Sequence, residues 1–360
     1  MNKNSLRIAI DISPIIYQTG VSTYTYQLVK HLLKVDSSNQ YLLYGASLRG
    51  LDKLKAMSKP FRLAEQKFFP LPPVLGQILW NQIHLLPIEA LIGKCDVFHS
   101  SDWYQPKTAA FAVTTVHDLA PIVLPKLTHP RIVAAHTRRL ELVKKEVDRV
   151  IVPSKAVLNE LVKFGVSENK INVIPEAVSE EFSQTPDTEI ARVGKKYNIQ
   201  KPYLFSLGVG GRKNTDKLIA AFKNLGLDMN LVLAGHKPES FKFDSKDIIF
   251  TGLVEQKDLP ALYSGALALV YVSVYEGFGL PILEAFACGT PVVMSDIAVH
   301  KEVAADAALL VDPKSVESIV EGIKSVLKHP KLYKEKGLKR AKDFSWNKAA
   351  KMTQEIYNLA

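Results

Sequence analysis

Cysteine is nearly missing from this chain of 360 residues: Cys95 and Cys288 are the two, far apart, and neither sits in a run with metal-ligand spacing. This excludes a disulfide framework and a zinc site of familiar pattern, and it fits a reducing, cytoplasmic compartment. Long apolar runs are missing too. No stretch approaches the ~18 continuous apolar residues of a membrane span, and the N-terminal stretch lacks the apolar region of a signal peptide. The expectation is a soluble or peripheral protein. No nucleic-acid-binding motif is present, so nucleic acid is not an expected partner. The dinucleotide fingerprint Gly-x-Gly-x-x-Gly is also incomplete: after Gly208 and Gly210 its third position falls on Lys213, which disfavours a nicotinamide dehydrogenase.

What the chain has is length, apolar content and positive charge. With 47% hydrophobic residues over 360 it can bury two cores of ordinary size, so two domains are expected. The net charge of +10 is uneven. Residues 1–178 carry 22 Lys and Arg against 14 Asp and Glu, whereas residues 179–360 carry 24 against 22. A basic first half is either ordinary solvated surface or a face for an anionic membrane leaflet or acidic substrate.

The most informative stretch runs from Tyr275 to Val293. The β-branched and aromatic run Leu267–Val274 reads as a buried strand, Gly277 and Gly279 break it, and Pro281 opens a helix of about two turns that Gly289 closes. The helix N-terminus then faces Gly277, Phe278, Gly279 and Leu280, an anion site most simply suited to phosphate. Glu276 and Glu284 flank it eight residues apart. Carboxylates beside phosphate are repelled by it but accept strong hydrogen bonds from neutral hydroxyls, and hydroxyls around a diphosphate suggest a nucleotide sugar. The plainer alternative makes Glu276 a helix-start carboxylate and Glu284 part of a solvated helix face. A second anion cradle follows the strand at Tyr203, where Gly210 and Gly211 precede Arg212, Lys213 and a helix from Thr215.

These residues carry a resemblance. Glu276 to Pro281, Glu284 and the run from Gly289 to Val293 resemble the Glu-x7-Glu signature of family four of the retaining glycosyltransferases, the large group-one family with a GT-B fold. Arg212-Lys213-Asn214 resembles that family's diphosphate-binding motif, and Val116-His117-Asp118 another of its motifs. Gly20 and Val21 resemble its N-terminal glycine loop, although Ser22 and Thr23 stand where members often carry a second glycine and a basic residue. Ile174 to Val178 resembles the Ile-Pro-Asn-Gly-Val linker, with Glu176 and Ala177 in place of Asn and Gly.

The resemblance implies an α/β architecture of two Rossmann-like, doubly wound domains facing each other across a crevice. Residues 1–178 would bind the acceptor and 179–344 the nucleotide sugar, with helix 345–360 packing back on the first domain. It implies retaining, metal-independent transfer of a hexosyl residue from a nucleoside diphosphate sugar to a hydroxyl of a glycan or lipid-linked acceptor, without a cofactor. Arg212 and Lys213 would neutralise the departing diphosphate, Glu276 hold the sugar, Glu284 the ribose, and His117 touch the donor sugar with Asp118 beside it. The backbone of Gly20 and Val21 would approach the diphosphate, that of Gly252 and Val254 would meet the base, and Ser154 would lie near the crevice. A nucleotide-sugar epimerase of the same fold and a non-catalytic binding protein remain as alternatives.

Two stretches stay open. The apolar and aromatic run Phe68–Leu86 reads as a core helix or as an interfacial helix with Phe69 and Trp80 toward a lipid carrier; Leu79 to Pro87 within it resembles a stretch of members with cell-envelope acceptors. The helix expected over residues 131–149, with Arg131, Arg138, Arg139, Lys144, Lys145 and Arg149, reads as largely solvated.

Overall fold

The computed structural model describes residues 5–17, 19–237 and 245–360. The chain divides into two compact units, one made of Met1–Glu176 with Ser345–Ala360 and the other of Ala177–Phe344.

The first unit is built on a parallel sheet with, among the described residues, seven strands: β1 (Arg7–Asp11), β2 (Gln40–Ala46), β3 (Glu65–Phe69), β4 (Val97–Ser100), β5 (Phe111–Thr115), β6 (Arg149–Val152) and β7 (Ile171–Val173), in the order β3-β2-β1-β4-β5-β6-β7. The second has six, β8 (Tyr203–Leu207), β9 (Asn230–Ala234), β10 (Ile248–Gly252), β11 (Ala268–Tyr271), β12 (Val292–Ser295) and β13 (Leu309–Val311), in the order β10-β9-β8-β11-β12-β13. Ile8, Leu43, Ile151, Leu204, Leu269 and Val293 are fully buried. A sheet covered on both faces takes near-continuous apolar strands rather than alternating ones. The direction of winding reverses between β1 and β4 in one sheet and between β8 and β11 in the other. Ligands bind outside the carboxyl ends of the strands at such switch points. The strand expected to reach Val274 stops at Tyr271, because Val272 onward leaves the sheet to form one of these switch-point loops.

Six helices bear on the sites: α1 (Gly20–Val35), α2 (Pro130–Glu146), α3 (Lys155–Phe164), α4 (Thr215–Leu225), α5 (Leu280–Ala287) and α6 (Trp346–Tyr357). Thr19 and Ser22 close a reciprocal capping box at the start of α1, which buries Tyr24, Leu28 and Leu32 at helical spacing. On that face α6 packs, with the Trp346 ring 5.7 Å from Tyr24. Ser22, in the position where members of the family often have glycine, thus has a local use.

Two stretches left open by the sequence are resolved here. Trp80 does not face outward. It lies in a π-helical segment, Gln77–Ile83, fully enclosed between Tyr44 and Tyr104 at 6.5 and 5.6 Å, and its Nε1 donates to the Leu86 carbonyl at 3.0 Å. A buried indole needs a partner for its N–H; this one has it inside the fold. The exposed apolar side chains of the stretch are Val74, Leu75, Ile83 and Leu85. In α2, Arg131, Arg138, Lys144 and Lys145 are solvated as expected, but Arg139 is 1% exposed.

Candidate active site

In the second unit the loops after β8 and β11 meet at the switch point. Gly208 and Gly210 take φ of +87° and +133°, which only glycine adopts without strain. A Cβ on Gly208 would stand 2.8 Å from Lys213 Cε, so the bare backbone there is what lets the lysine stem lie across the loop. Asn214, also left-handed at φ +56°, donates through Nδ2 to the carbonyls of Val272 and Pro313 at 3.2 and 2.7 Å and ties this loop to its neighbours before α4 begins.

Thus held, Lys213 Nζ donates to Glu276 Oε1 at 2.7 Å and to the Tyr271 hydroxyl at 2.6 Å, while Arg212 Nη1 donates to Glu276 Oε2 at 3.0 Å and to the Tyr275 carbonyl at 3.2 Å. Burial alone would raise the Glu276 carboxyl. The charges of Lys213 and Arg212 outweigh it and push the group down to about 2, so Glu276 is ionised throughout the working range. Gly279, at φ +113°, caps α5, and Pro281 stands in its first turn. Gly277, Phe278, Gly279 and Leu280 are buried, with the Phe278 ring edge-on to Phe344 at 5.9 Å. The dipole of α5 points its positive end at this turn.

One turn into α5, Glu284 meets the opposite environment. It is 8% exposed and accepts from the Tyr263 hydroxyl at 2.7 Å; burial, helped by the charge of Glu181, pushes its carboxyl up to about 7. A solvated helix face is thereby excluded. His300, which the sequence does not mark, lies fully buried with its ring 5.6 Å from Tyr271. Its Nδ1 is 3.0 Å from the Ser295 carbonyl, which can only accept, so Nδ1 carries the proton and Nε2 a lone pair with no partner among the described residues. Burial pushes it down to about 4, which keeps it neutral. Gly252 and Val254 are not brought to this cluster: β10 is the edge strand, with β9 and β8 between it and β11. Gly252 is demanded by its φ of +69°, since a Cβ there would meet nothing within 4 Å.

In the first unit a cleft at the carboxyl edge of the sheet brings together Val21, Asp11, Asp102, His99 and His117. His117 Nδ1 is 3.1 Å from Glu176 Oε1, and its ring meets Tyr24 edge-on at 4.5 Å. Burial would lower the imidazole, but the hydrogen bond and charge of Glu176 prevail and raise it. Glu176, met in the sequence as a departure from the usual linker, is therefore the histidine's partner 59 positions away. Beneath, His99 joins the Tyr357 hydroxyl through Nδ1 (2.6 Å) and Thr115 through Nε2 (2.8 Å); burial first, then the charges of His117 and Arg139, push it down to about 3.

Arg139 is the residue that sequence reasoning missed. It donates to Asp102 Oδ1 at 3.0 Å, to the carbonyls of Ser101 and Thr115, each at 3.1 Å, and to Thr114 Oγ1 at 2.8 Å. Asp118 and Ser154 have local duties: Asp118 Oδ1 accepts from the Ala120 backbone at 2.8 Å, and Ser154 Oγ, fully buried, caps α3 by accepting from Val157. Gly20 opens α1 with open space where a Cβ would be, so nothing in the unit's own packing requires glycine there. Among the described residues no cluster of three His, Cys, Asp or Glu could hold a metal ion, and no helix is long and apolar enough to cross a membrane.

Two family models match, "Glycosyltransferase Family 4" over residues 18–182 and "Glycosyl transferases group 1" over residues 187–343; between them they span nearly the whole chain. An Escherichia coli protein named O-antigen chain mannosyltransferase B is 28% identical over 98% of this chain and 100% of its own length. The solved structure of sucrose-phosphate synthase from Thermosynechococcus elongatus superposes with a TM-score of 0.75 at 19% identity, over 98% of each chain. Anabaena HepE in complex with UDP-glucose does so with a TM-score of 0.76 at 15% identity, over 99% of this chain and 100% of that one. At such identities the structural likeness speaks for the GT-B fold alone; with the two matching models and the curated relative, the chain belongs to the group 1 glycosyltransferases of family four and is a glycosyltransferase acting from a nucleotide sugar.

Proposed function

We propose that this is a retaining, metal-independent mannosyltransferase that carries the sugar from its nucleoside diphosphate to a hydroxyl of a glycan or lipid-linked acceptor. The observation that carries the mechanism is the pairing of Arg212 and Lys213 with Glu276 where two switch-point loops meet. The choice of mannose rests on the full-length relative, the O-antigen chain mannosyltransferase B of Escherichia coli.

Breaking the anomeric C–O bond leaves a sugar cation and a more highly charged diphosphate, so stabilising the leaving group is the largest need. Arg212 and Lys213 meet that charge together with the α5 dipole over Gly277 to Leu280, and the backbone at Gly210 and Gly211 lets phosphate approach closely. A phosphate competes with Glu276 for the two cations and leaves that carboxylate to accept hydroxyls of the sugar. Glu284 takes the ribose hydroxyls. His117, whose protonated form Glu176 favours, donates to a hydroxyl of the donor sugar. The backbone of Gly20 and Val21 serves the diphosphate and that of Gly252 and Val254 the base, while Asp118 and Ser154 hold the ends of β5 and β6 through their caps. The acceptor oxygen bonds to the anomeric carbon from the face that the diphosphate leaves, and its proton passes to the departing phosphate oxygen.

A thermal-shift panel of nucleoside diphosphates and nucleotide sugars tests the reading first, because a ligand of the native state raises the midpoint. Stabilisation by one diphosphate and its sugar is expected; none by any of them sinks the reading. The product anomer, read by NMR, should match that of the donor, and chelator should leave the rate unchanged. We also read the +8 of residues 1–178 with the outward Val74, Leu75, Ile83 and Leu85 as a peripheral surface for anionic lipid, each basic residue worth about 1 kcal/mol there. Sedimentation with phosphatidylglycerol vesicles should be seen at low salt and lost at high salt; no binding at low salt removes the membrane part alone.

A further inference from the structure

The loop after β4, residues 101–105, is held more firmly than anything its sequence suggests. Arg139 grips the Ser101 carbonyl and the Asp102 carboxylate. Asn81, only 6% exposed in the π-helical segment, donates to the Trp103 carbonyl at 2.9 Å and accepts from the Gln105 backbone at 3.0 Å, so both ends of its amide serve this loop. Ser100 Oγ donates to Gln105 Oε1 at 2.8 Å, and Tyr104 donates to the Pro73 carbonyl at 3.0 Å. A Cβ on Gly76, just before the segment, would stand 3.0 Å from the Tyr104 ring, so the turn leading into the segment presses directly on the loop. π-Helical turns gather at functional sites, and this one acts as a splint.

Among these fixed groups one large side chain is turned outward. Trp103 is 42% exposed, with Tyr17 (44% exposed) at 6.5 Å and His136 at 6.1 Å. Tyr17 closes the segment after β1 and Trp103 follows β4, so the pair stands at the switch point of the first sheet. The charge beside Trp103 does not suit a phosphate: Asp102 lines the adjoining cleft, and among the described residues the cation bonded to the loop, Arg139, is enclosed and paired with Asp102, while Lys53, beside Tyr17, is engaged by the Ile16 carbonyl at 2.6 Å. An indole face carries the negative side of a quadrupole and attracts the polarised C–H hydrogens of a pyranose ring, while the partly open Asp102 carboxylate can accept one of its hydroxyls.

We propose that Trp103, flanked by Tyr17 and His136, is the stacking platform for a neutral pyranose of the acceptor glycan. This deepens the transferase reading and rests on it for the word acceptor. The platform is rigid before the sugar arrives, which lowers the ordering cost of binding.

Trp80 and Trp346 are 0% and 3% exposed, so iodide quenching of tryptophan emission reports Trp103 almost alone. In the full chain, α-linked mannotriose at millimolar concentration should protect that emission saturably, and phosphatidylglycerol vesicles should not. In transfer assays with α-mannotriose as acceptor, Trp103→Ala should raise the acceptor KM about tenfold or more, the loss of about 1.4 kcal/mol of binding. Its donor KM and its slow hydrolysis of donor should stay within about twofold of the parent, and Trp103→Phe should retain most of the acceptor affinity. An unchanged acceptor KM in Trp103→Ala overturns the proposal, as does protection by vesicles but by none of a panel of neutral trisaccharides. The quenching arm needs no donor, so a wild-type chain inert toward every nucleotide sugar would sink the transferase reading while the platform is judged separately.

Discussion

At the switch point of the second sheet, Arg212 keeps a third of its side chain open to solvent and shares a carboxylate with Lys213. At the switch point of the first sheet, Arg139 is enclosed, and its donors are divided among a carboxylate, a hydroxyl and two carbonyls. Both sheets offer the same topological place, and each has a cation paired with an acid there. What differs is whether the pair can be opened. On the proposed mechanism a diphosphate takes over from Glu276, and the solvent-reaching position of the cations gives it access. Nothing can take over from Asp102 without exposing a charge inside the fold. On that reading one arginine waits for a ligand, whereas the other holds a loop.

The sharpest way to break this comparison is Arg139→Met. Removing one partner of a buried pair leaves the other uncompensated, so a loss of about 4 kcal/mol is expected in urea denaturation of the first unit; a loss below about 1 kcal/mol would make Arg139 no more structural than Arg212. Lys213→Ala should do the reverse. Turnover should fall about 100-fold, or roughly 3 kcal/mol in the barrier, with a melting temperature close to the parent's, and near-normal turnover would remove Lys213 from the mechanism. Glu276→Ala sharpens the point further: with the competing carboxylate gone, calorimetry should show sugar-free nucleoside diphosphate bound at least as tightly as before even though transfer is lost, whereas Glu284→Ala should weaken that binding.

Glu284 supplies a smaller, pH-dependent test. Its carboxyl is raised in the fold from 4.5 to about 7, so the stability it lends is complete below about pH 4.5 and disappears as pH climbs through 7. Glu284→Gln should therefore melt higher than the parent at pH 8, by up to something on the order of 3 kcal/mol, with the gap narrowing toward pH 5. A gap independent of pH would show that Glu284 is not the titrating group. The smallest effect is expected at His117. The stability of its protonated form is present below the ordinary histidine range and lost as pH rises through its elevated folded value; Glu176→Gln should move the His117 titration seen by NMR downward and cost about 1 kcal/mol below that value. An unmoved titration would separate the two residues.

The α/β class and the strand-loop-helix around Glu276 were legible because Pro281, Gly279 and Gly289 punctuate a strongly apolar sequence, and such punctuation is local. The paired cations were legible as a cluster but not as partners of Glu276, since that contact joins positions 63 and 64 apart. Arg139 was hidden by its company: a helix with several cations reads as a solvated face, and its acceptors lie on β5 and on the loop after β4, 24 to 38 positions away. Trp80 was ambiguous because an aromatic-rich run suits a core or an interface equally, and the π turn that buries it has no sequence period of its own. Glu176 was visible as an oddity, but its meaning required His117 to be near.

The first unit is discontinuous: α6 belongs to it, yet the whole of Ala177–Phe344 is made before α6 is. During synthesis the face of α1 that takes Trp346, and the His99 nitrogen that takes Tyr357, wait uncovered while the second unit, continuous in sequence, can complete itself. Chains generally fold domain by domain as they emerge. Here the earlier-made unit should finish last, which makes the α1 face the exposed, chaperone-accessible surface of the nascent chain and makes loss of α6 a defect of assembly before it is one of catalysis.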